Sequence, residues 1–227
     1  IKMGGNVVYC DTNDNFLIDF EDLKRKITRK TKAVIIVHFC GLIHTEVFKI
    51  KSYLKAKNIF LIEDNAHASG AKINDRMSGS IGEFGCHSFF SSKIITTGEG
   101  GMITTNDYKL SKICRSIRSR GLDIDSDIEI FNRLGSNYKM PEYESILGIS
   151  QLRRLESFVE HRMKIANIYK EELKGLSEKG QIRFQKVGKN IRHPYWKFII
   201  FISRNHPSMK DLGEAMKKSG INIGAPY

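Results

Sequence analysis

The chain has 227 residues and a formal net charge of +12, from 37 lysines and arginines against 25 acids. That length supports one large domain, or one with a smaller appendage, and a sizeable core. The basic residues are spread over amphipathic stretches such as "EDLKRKITRKTKAV" with acids between them, which argues against a nucleic-acid binder, and no apolar run reaches the length of a membrane span.

Taken in chain order, "NVVYCD" (6–11) is a short apolar run predicted as a strand ending on Asp11. "FEDLKRKIT" (20–28) has helical spacing at Phe20, Leu23 and Ile27, with Asp19 as the expected N-cap. "AVIIVH" (33–38) and "IFLIED" (59–64) lack polar alternation, as expected of parallel strands buried on both faces, and a helix is expected between them over 45–58. "CHSFF" (86–90) and "GMITT" (101–105) are two shorter strands. Their link is too short for a full crossover helix, so one of the pair is expected to run antiparallel. Residues 144–176 read as one long amphipathic helix with Ile146, Ile149, Leu152, Leu155 and Phe158 on one stripe. Strands over 182–187 and 195–203 and a helix over 208–220, stopped by Gly220, complete the pattern. The fold class is therefore α/β, a mostly parallel central sheet with a smaller α+β C-terminal domain, divided as 1–120 and 121–227.

Cys10, Cys40, Cys86 and Cys114 are widely spaced, with no CxxC pair, and no signal-peptide core precedes them. They read as reduced thiols of a cytoplasmic protein, and no metal site is expected. Ligands of open parallel sheets gather at the carboxyl ends of strands. There Asp64 ends one strand, His67 follows within a turn, and Lys93 follows "CHSFF". A carboxylate and an amine meeting at one rim suit pyridoxal phosphate, whose aldehyde condenses with lysine and whose ring nitrogen must stay protonated. Each residue also has a plainer role: Asp64 as a cap, Lys93 as a solvated loop lysine, His67 as a structural histidine, Ser88 tied to backbone. Residue types alone leave both readings open.

"IEDNAHASGA" followed by "GSIGEFGCHSFFSSKIITTGEGGMITTND" resembles the central signature of the DegT-like sugar aminotransferases, a branch of the fold-type-I pyridoxal-phosphate enzymes. "GSNYKMPEYESILGISQLRRLESFVEHR" is similar to the family's second signature, and "TKAVIIVHFCGL" to the strand and loop before the first. The resemblance implies that Lys93 carries the Schiff base and moves the substrate proton, that Asp64 pairs with the pyridinium nitrogen, and that His67 lies against the ring. It further implies that Ser88 binds the cofactor phosphate and that Asn137 reaches the phosphate held by a neighbouring subunit of a homodimer. The implied reaction moves an amino group, with glutamate as donor, onto a nucleotide-linked keto-sugar, in the manner of surface-polysaccharide biosynthesis. The family's dehydratase branch replaces the lysine with histidine, so Lys93 favours transamination. A non-catalytic interaction module is the alternative of a different class. The chain starts inside the family's sheet and stops within its small domain, so a piece truncated at both ends is expected.

Overall fold

Four strands build the main sheet of the computed structural model, which describes residues 4–203, 208–221 and 223. They are β1 (Ala33–Val37), β2 (Phe60–Asp64), β5 (Phe84–Ser88) and β6 (Gly101–Thr104), in the spatial order β1-β2-β5-β6. β1, β2 and β5 run parallel, with Val37 beside Asp64 and Asp64 beside Cys86. β6 returns antiparallel to β5, as the short link requires. Two two-residue strands, β3 (Lys72–Ile73) and β4 (Arg76–Met77), lie between β2 and β5 in sequence. They form a second small sheet with β8 (Ile191–Arg192).

Helices α1 (Phe20–Lys26) and α2 (Val47–Lys55) cover one face of the main sheet. Asp19 caps α1 by accepting from the Asp22 amide at 2.7 Å. Phe20, Leu23, Val47, Ile50 and Leu54 then join Val34, Ile36 and Leu61 in one buried cluster. The expectation of strands buried on both faces is corrected here. β1 alternates, with Val34 and Ile36 buried while Ile35 is 61% exposed, because among the described residues only one face of the strand is packed by helices. Likewise 6–11 forms no strand; Val7, Val8 and Tyr9 stay exposed and no sheet neighbour pairs with them.

The long helix expected over 144–176 is three: α4 (Glu142–Arg153), α5 (Leu155–Glu172) and α6 (Lys174–Glu178). A stripe spaced by three residues drifts about 60° around a helix at each step, so five such residues cannot share one face. Ile146, Ile149 and Leu152 are accordingly exposed, whereas Leu155 and Val159, four apart, pack on Ile94 and Ile95. α3 (Tyr108–Arg118) leads from β6 towards this segment. β7 (Ile182–Phe184) and β9 (Ile200–Ile202) pair antiparallel, and α7 (Met209–Lys218) follows. The strand expected from 195 starts only at Ile200, since Tyr195 adopts φ +47° and turns the chain.

The compact units are Ile1–Asn167 with Lys186–Phe198, and Ile168–Gln185 with Ile199–Tyr227. They divide later than the boundary expected at 120 because the start of α5 packs with the 94–95 segment. No described helix is long and apolar enough to cross a membrane.

Asp64 and Glu63 are successive residues of the middle strand and point to opposite faces. Glu63 is fully buried and accepts from His38 Nε2 at 2.8 Å and from the amides of Gly79, Ile81 and Gly82 at 3.0, 2.7 and 2.6 Å. His38 Nδ1 accepts from the His44 amide, which leaves the ring proton on Nε2 to face Glu63. Gly82 runs so close to Leu61 that a Cβ there would lie 2.5 Å from the Leu61 carbonyl oxygen. Burial pushes the Glu63 carboxyl up, but the His38 bond and the amides outweigh it and hold the group below its ordinary range. Replacing Glu63 with alanine strands four donors, and its cost is about 3–5 kcal/mol by urea denaturation. Glu21→Ala, in an exposed i,i+3 pair with Lys24, changes stability by no more than about 0.5 kcal/mol.

Candidate active site

At the carboxyl rim of the sheet, β2 delivers Asp64 and the chain turns at once. The Asp64 carboxylate accepts from the Ala66 amide at 3.0 Å, an Asx turn that lifts His67 over the strand end. Neighbouring strands fix this turn from both sides. The His38 amide donates to the Asp64 carbonyl at 3.1 Å, and the Asn65 amide donates to the Cys86 carbonyl at 2.8 Å.

Beyond Ser88 the chain makes a closed loop. The Phe89 amide donates to Gly100 and the Thr97 amide to Phe89, each at 2.9 Å. Gly100 sits at φ +146°, and a Cβ there would lie 2.5 Å from Thr97 Oγ1, so the loop can close only on glycine. Ile94 and Ile95 anchor it by packing against Leu155 and Val159. Lys93 is the residue immediately before that anchor, so its backbone is held while its side chain turns to the rim.

There Lys93 meets an aromatic wall absent from the sequence-based expectation. Its Nζ lies 4.3 Å from the centre of the Trp196 ring, and the His67 ring stacks on the same indole at 3.8 Å with an interplanar angle of 17°. Phe39 approaches His67 edge-on at 6.1 Å. Burial lowers the proton affinity of the Lys93 amine; Asp64 opposes this, and the charge of Lys197 adds to it. Burial, then the Lys93 charge, pushes His67 down to about 4, with Asp64 pulling the other way. His67 is thus a neutral imidazole near pH 7, and among the described residues its buried Nδ1 has no hydrogen-bond partner. Burial pushes the Cys40 thiol up to about 11, so it stays protonated beside the two lysines.

The structure therefore brings together three of the five expected residues, Asp64, His67 and Lys93. Ser88 ends β5 and accepts from the Phe90 amide at 3.4 Å. Asn137 is exposed and pairs by backbone with Ser119. Among the described residues no hydrogen bond joins Ser88 or Asn137 to the Lys93 group. Trp196 and Lys197 were missed because 195–203 reads as a plain strand. The available signal was that Trp196 is the sole tryptophan, directly after "HPY". Two open surface clefts, of about 620 and 440 Å³, lie elsewhere and are lined by neither Asp64 nor Lys93.

A carboxylate at the strand end, and against one ring a neutral imidazole with an unbonded nitrogen and an amine of reduced basicity, fit pyridoxal phosphate. The donor set offers an anion for the ring nitrogen, a polar atom for a ring substituent and a nucleophile for the aldehyde. Among the described residues no group of three or more metal-ligating side chains forms a cation site.

The sequence profile of the DegT/DnrJ/EryC1/StrS aminotransferase family matches residues 1–227. Among curated proteins the chain is similar to the GDP-perosamine synthase of Escherichia coli O157:H7, 34% identical over 211 residues that cover 92% of this chain and 56% of that protein. It is also similar to the GDP-4-keto-6-deoxy-D-mannose 3-dehydratase of Yersinia pseudotuberculosis, 36% identical over 187 residues, 75% of this chain and 47% of that one. Among solved structures, the aminotransferase from Psychrobacter cryohalolentis superposes with a TM-score of 0.88 at 27% identity, over 95% of this chain and 59% of that one. The chain spans roughly half the length of these relatives.

The neutral state of His67 is open to direct titration. Its folded affinity for protons is depressed, so the stability it contributes is complete above about pH 6.5 and is lost as pH falls from there towards 4. An NMR titration of its ring protons gives a midpoint near 4; a midpoint at the ordinary value of about 6.5 would refute the buried, lysine-flanked setting.

Proposed function

The chain belongs to the DegT/DnrJ/EryC1/StrS aminotransferase family, and on that premise we propose that the whole protein is a pyridoxal-phosphate-dependent sugar aminotransferase. It takes an amino group from glutamate and delivers it to a nucleotide-linked keto-sugar. The observation that carries this reading is the meeting of Asp64, His67 and Lys93 at one rim, with Lys93 Nζ against the ring on which His67 stacks. The relative named as a GDP-perosamine synthase supports the sugar class.

Bound at this rim, pyridoxal phosphate supplies an aldehyde that captures amines and a pyridinium ring that accepts electron density from the substrate carbon. Lys93 has two roles there. Its amine, less basic than an ordinary lysine, would be the nucleophile that holds the cofactor, and it would also take and return the proton at the substrate carbon. Asp64 supplies the negative charge that keeps a proton on the ring nitrogen. His67, neutral, would add no charge beside the ring, and its Nδ1, without a partner among the described residues, could bond a polar ring substituent. Ser88 contributes its hydroxyl to the phosphate, and Asn137 contributes to the site of a second copy in a cytoplasmic homodimer. The similarity to a sugar dehydratase does not favour that reaction, because the sequence resemblance implies histidine in that branch where this chain has Lys93.

The full-length protein, incubated with pyridoxal phosphate and reduced with borohydride, carries a phosphopyridoxyl group on Lys93 in the digested peptides. Glutamate added before reduction removes it. Lys93→Ala loses the label, and its transamination falls by at least about 10²–10⁴-fold from lost proton transfer alone. Labelling that leaves Lys93 untouched in the full-length protein overturns the reading.

A further inference from the structure

Trp196 and Lys197 belong to a segment held against the rim at several points. The Trp196 Nε1 donates to the Ser92 carbonyl at 2.7 Å, next to Lys93. The Lys197 amide donates to the Cys40 carbonyl at 3.4 Å, in the loop that follows β1. Arg162 Nη1 donates to the carbonyls of Tyr195 and Trp196 at 3.2 and 3.4 Å, tying the segment to α5. The indole is therefore pinned at its own nitrogen and through its backbone.

Two amines share the ring so fixed. Lys93 Nζ lies 4.3 Å from its centre and Lys197 Nζ 4.8 Å from it, while His67 stacks on the same ring. A π ring favours a cation, and two cations near one ring repel each other. We propose that Trp196 and Lys197 are positioning residues of the Lys93 site: the indole fixes the Lys93 amine and the His67 ring in one arrangement, and Lys197 sets a second positive charge near that amine so that it gives up its proton more readily for condensation. The proposal rests on the aminotransferase reading and adds residues that the reading does not require.

The groups facing the amine give the direction of the effect. Asp64, from β2, favours the protonated form. Cys40, from the loop after β1, favours it only as a thiolate, and burial keeps that thiol protonated. His67, neutral, adds no charge. Lys197 is the charged neighbour that opposes Asp64. Without it, Asp64 would hold the proton on Lys93 to higher pH. The neutral amine is the form that reacts: its lone pair makes the C–N bond to the aldehyde carbon, and the aldehyde oxygen leaves as water with the two amine protons.

The test is the pH dependence of labelling. Full-length protein is equilibrated with pyridoxal phosphate over a range of pH and reduced, and the modified fraction at Lys93 is read by mass spectrometry. Lys197→Met, which keeps the stem and removes the charge, moves the midpoint up by about one unit and lowers labelling severalfold near neutral pH. Lys197→Gln serves the same purpose if the methionine variant fails to fold. Lys197→Arg keeps the wild-type midpoint, a rescue that a purely structural role would not give. Trp196→Ala releases the amine and the His67 ring from their fixed arrangement and lowers labelling at Lys93 severalfold across the pH range, whereas Trp196→Phe retains an aromatic wall and labels like the wild type. Wild-type midpoints in Lys197→Met or Lys197→Gln, or wild-type labelling in Trp196→Ala, overturn the proposal while leaving Lys93 as the labelled residue. Failure of the wild-type protein to label at Lys93 overturns the underlying aminotransferase reading instead.

Discussion

The arrangement at the rim depends on a buried carboxylate that takes no part in the chemistry. Glu63 lies one residue before Asp64 and turns to the covered face of the sheet, where four donors converge on it. Three are backbone amides of the turn that leads into β5, and the fourth is the ring of His38 at the end of β1. One side chain thereby ties the ends of β1 and β2 to the entry of β5. A carboxylate removed from water is costly unless its lone pairs are met by donors. Here they are met, and the cost of leaving them unmet enforces the geometry. The Asx turn at Asp64, the lift of His67 and the start of the Lys93 loop all follow from strand ends held in fixed relation.

On the other side of the same strand the constraints are electrostatic. A neutral imidazole and two amines lie around a single indole, with the Asp64 carboxylate acting on Lys93 from the end of β2. Burial disfavours the charge on Lys93, an added cation weakens its hold on its proton further, and a nearby anion strengthens it. His67 resolves the competition by staying neutral. Burial leaves the Lys93 amine less basic than an ordinary lysine; Asp64 opposes that effect and the charge of Lys197 adds to it. A rigid aromatic surface suits this setting, since it excludes water from one side of the amine and holds the imidazole parallel to itself.

Much of this was legible in the sequence, for physical reasons that can be named. The β-branched runs at 33–38 and 59–64 gave parallel strands because they lack turn formers and are separated by a helical pattern of adequate length. Asp19 capped α1 because a carboxylate before an amphipathic run meets free amides. Asp64, His67 and Lys93 were singled out because ligands of parallel sheets gather at the strands' carboxyl ends, and because the surrounding motifs resemble a family. The misses have equally definite causes. Composition does not say whether an apolar strand face is covered, and Ile35 and Val37 were read as buried though they stand open. The stripe from Ile146 to Phe158 looked like one face because spacing by three mimics helical periodicity over a single turn, then drifts. Trp196 and Lys197 sit in a run of aromatic and apolar residues that reads as strand. Only the left-handed turn at Tyr195, which no local pattern announced, brings them to Lys93.

The central claim is that Asp64 and Lys93 act on two ends of one bound cofactor ring. A crystal structure of the full-length protein grown with pyridoxal phosphate tests it most directly. The account predicts density continuous from Lys93 Nζ to the cofactor, the ring nitrogen about 2.7–2.9 Å from an Asp64 oxygen, and His67 lying along the ring face. A cofactor joined to another lysine, or a ring nitrogen directed away from Asp64, would contradict it.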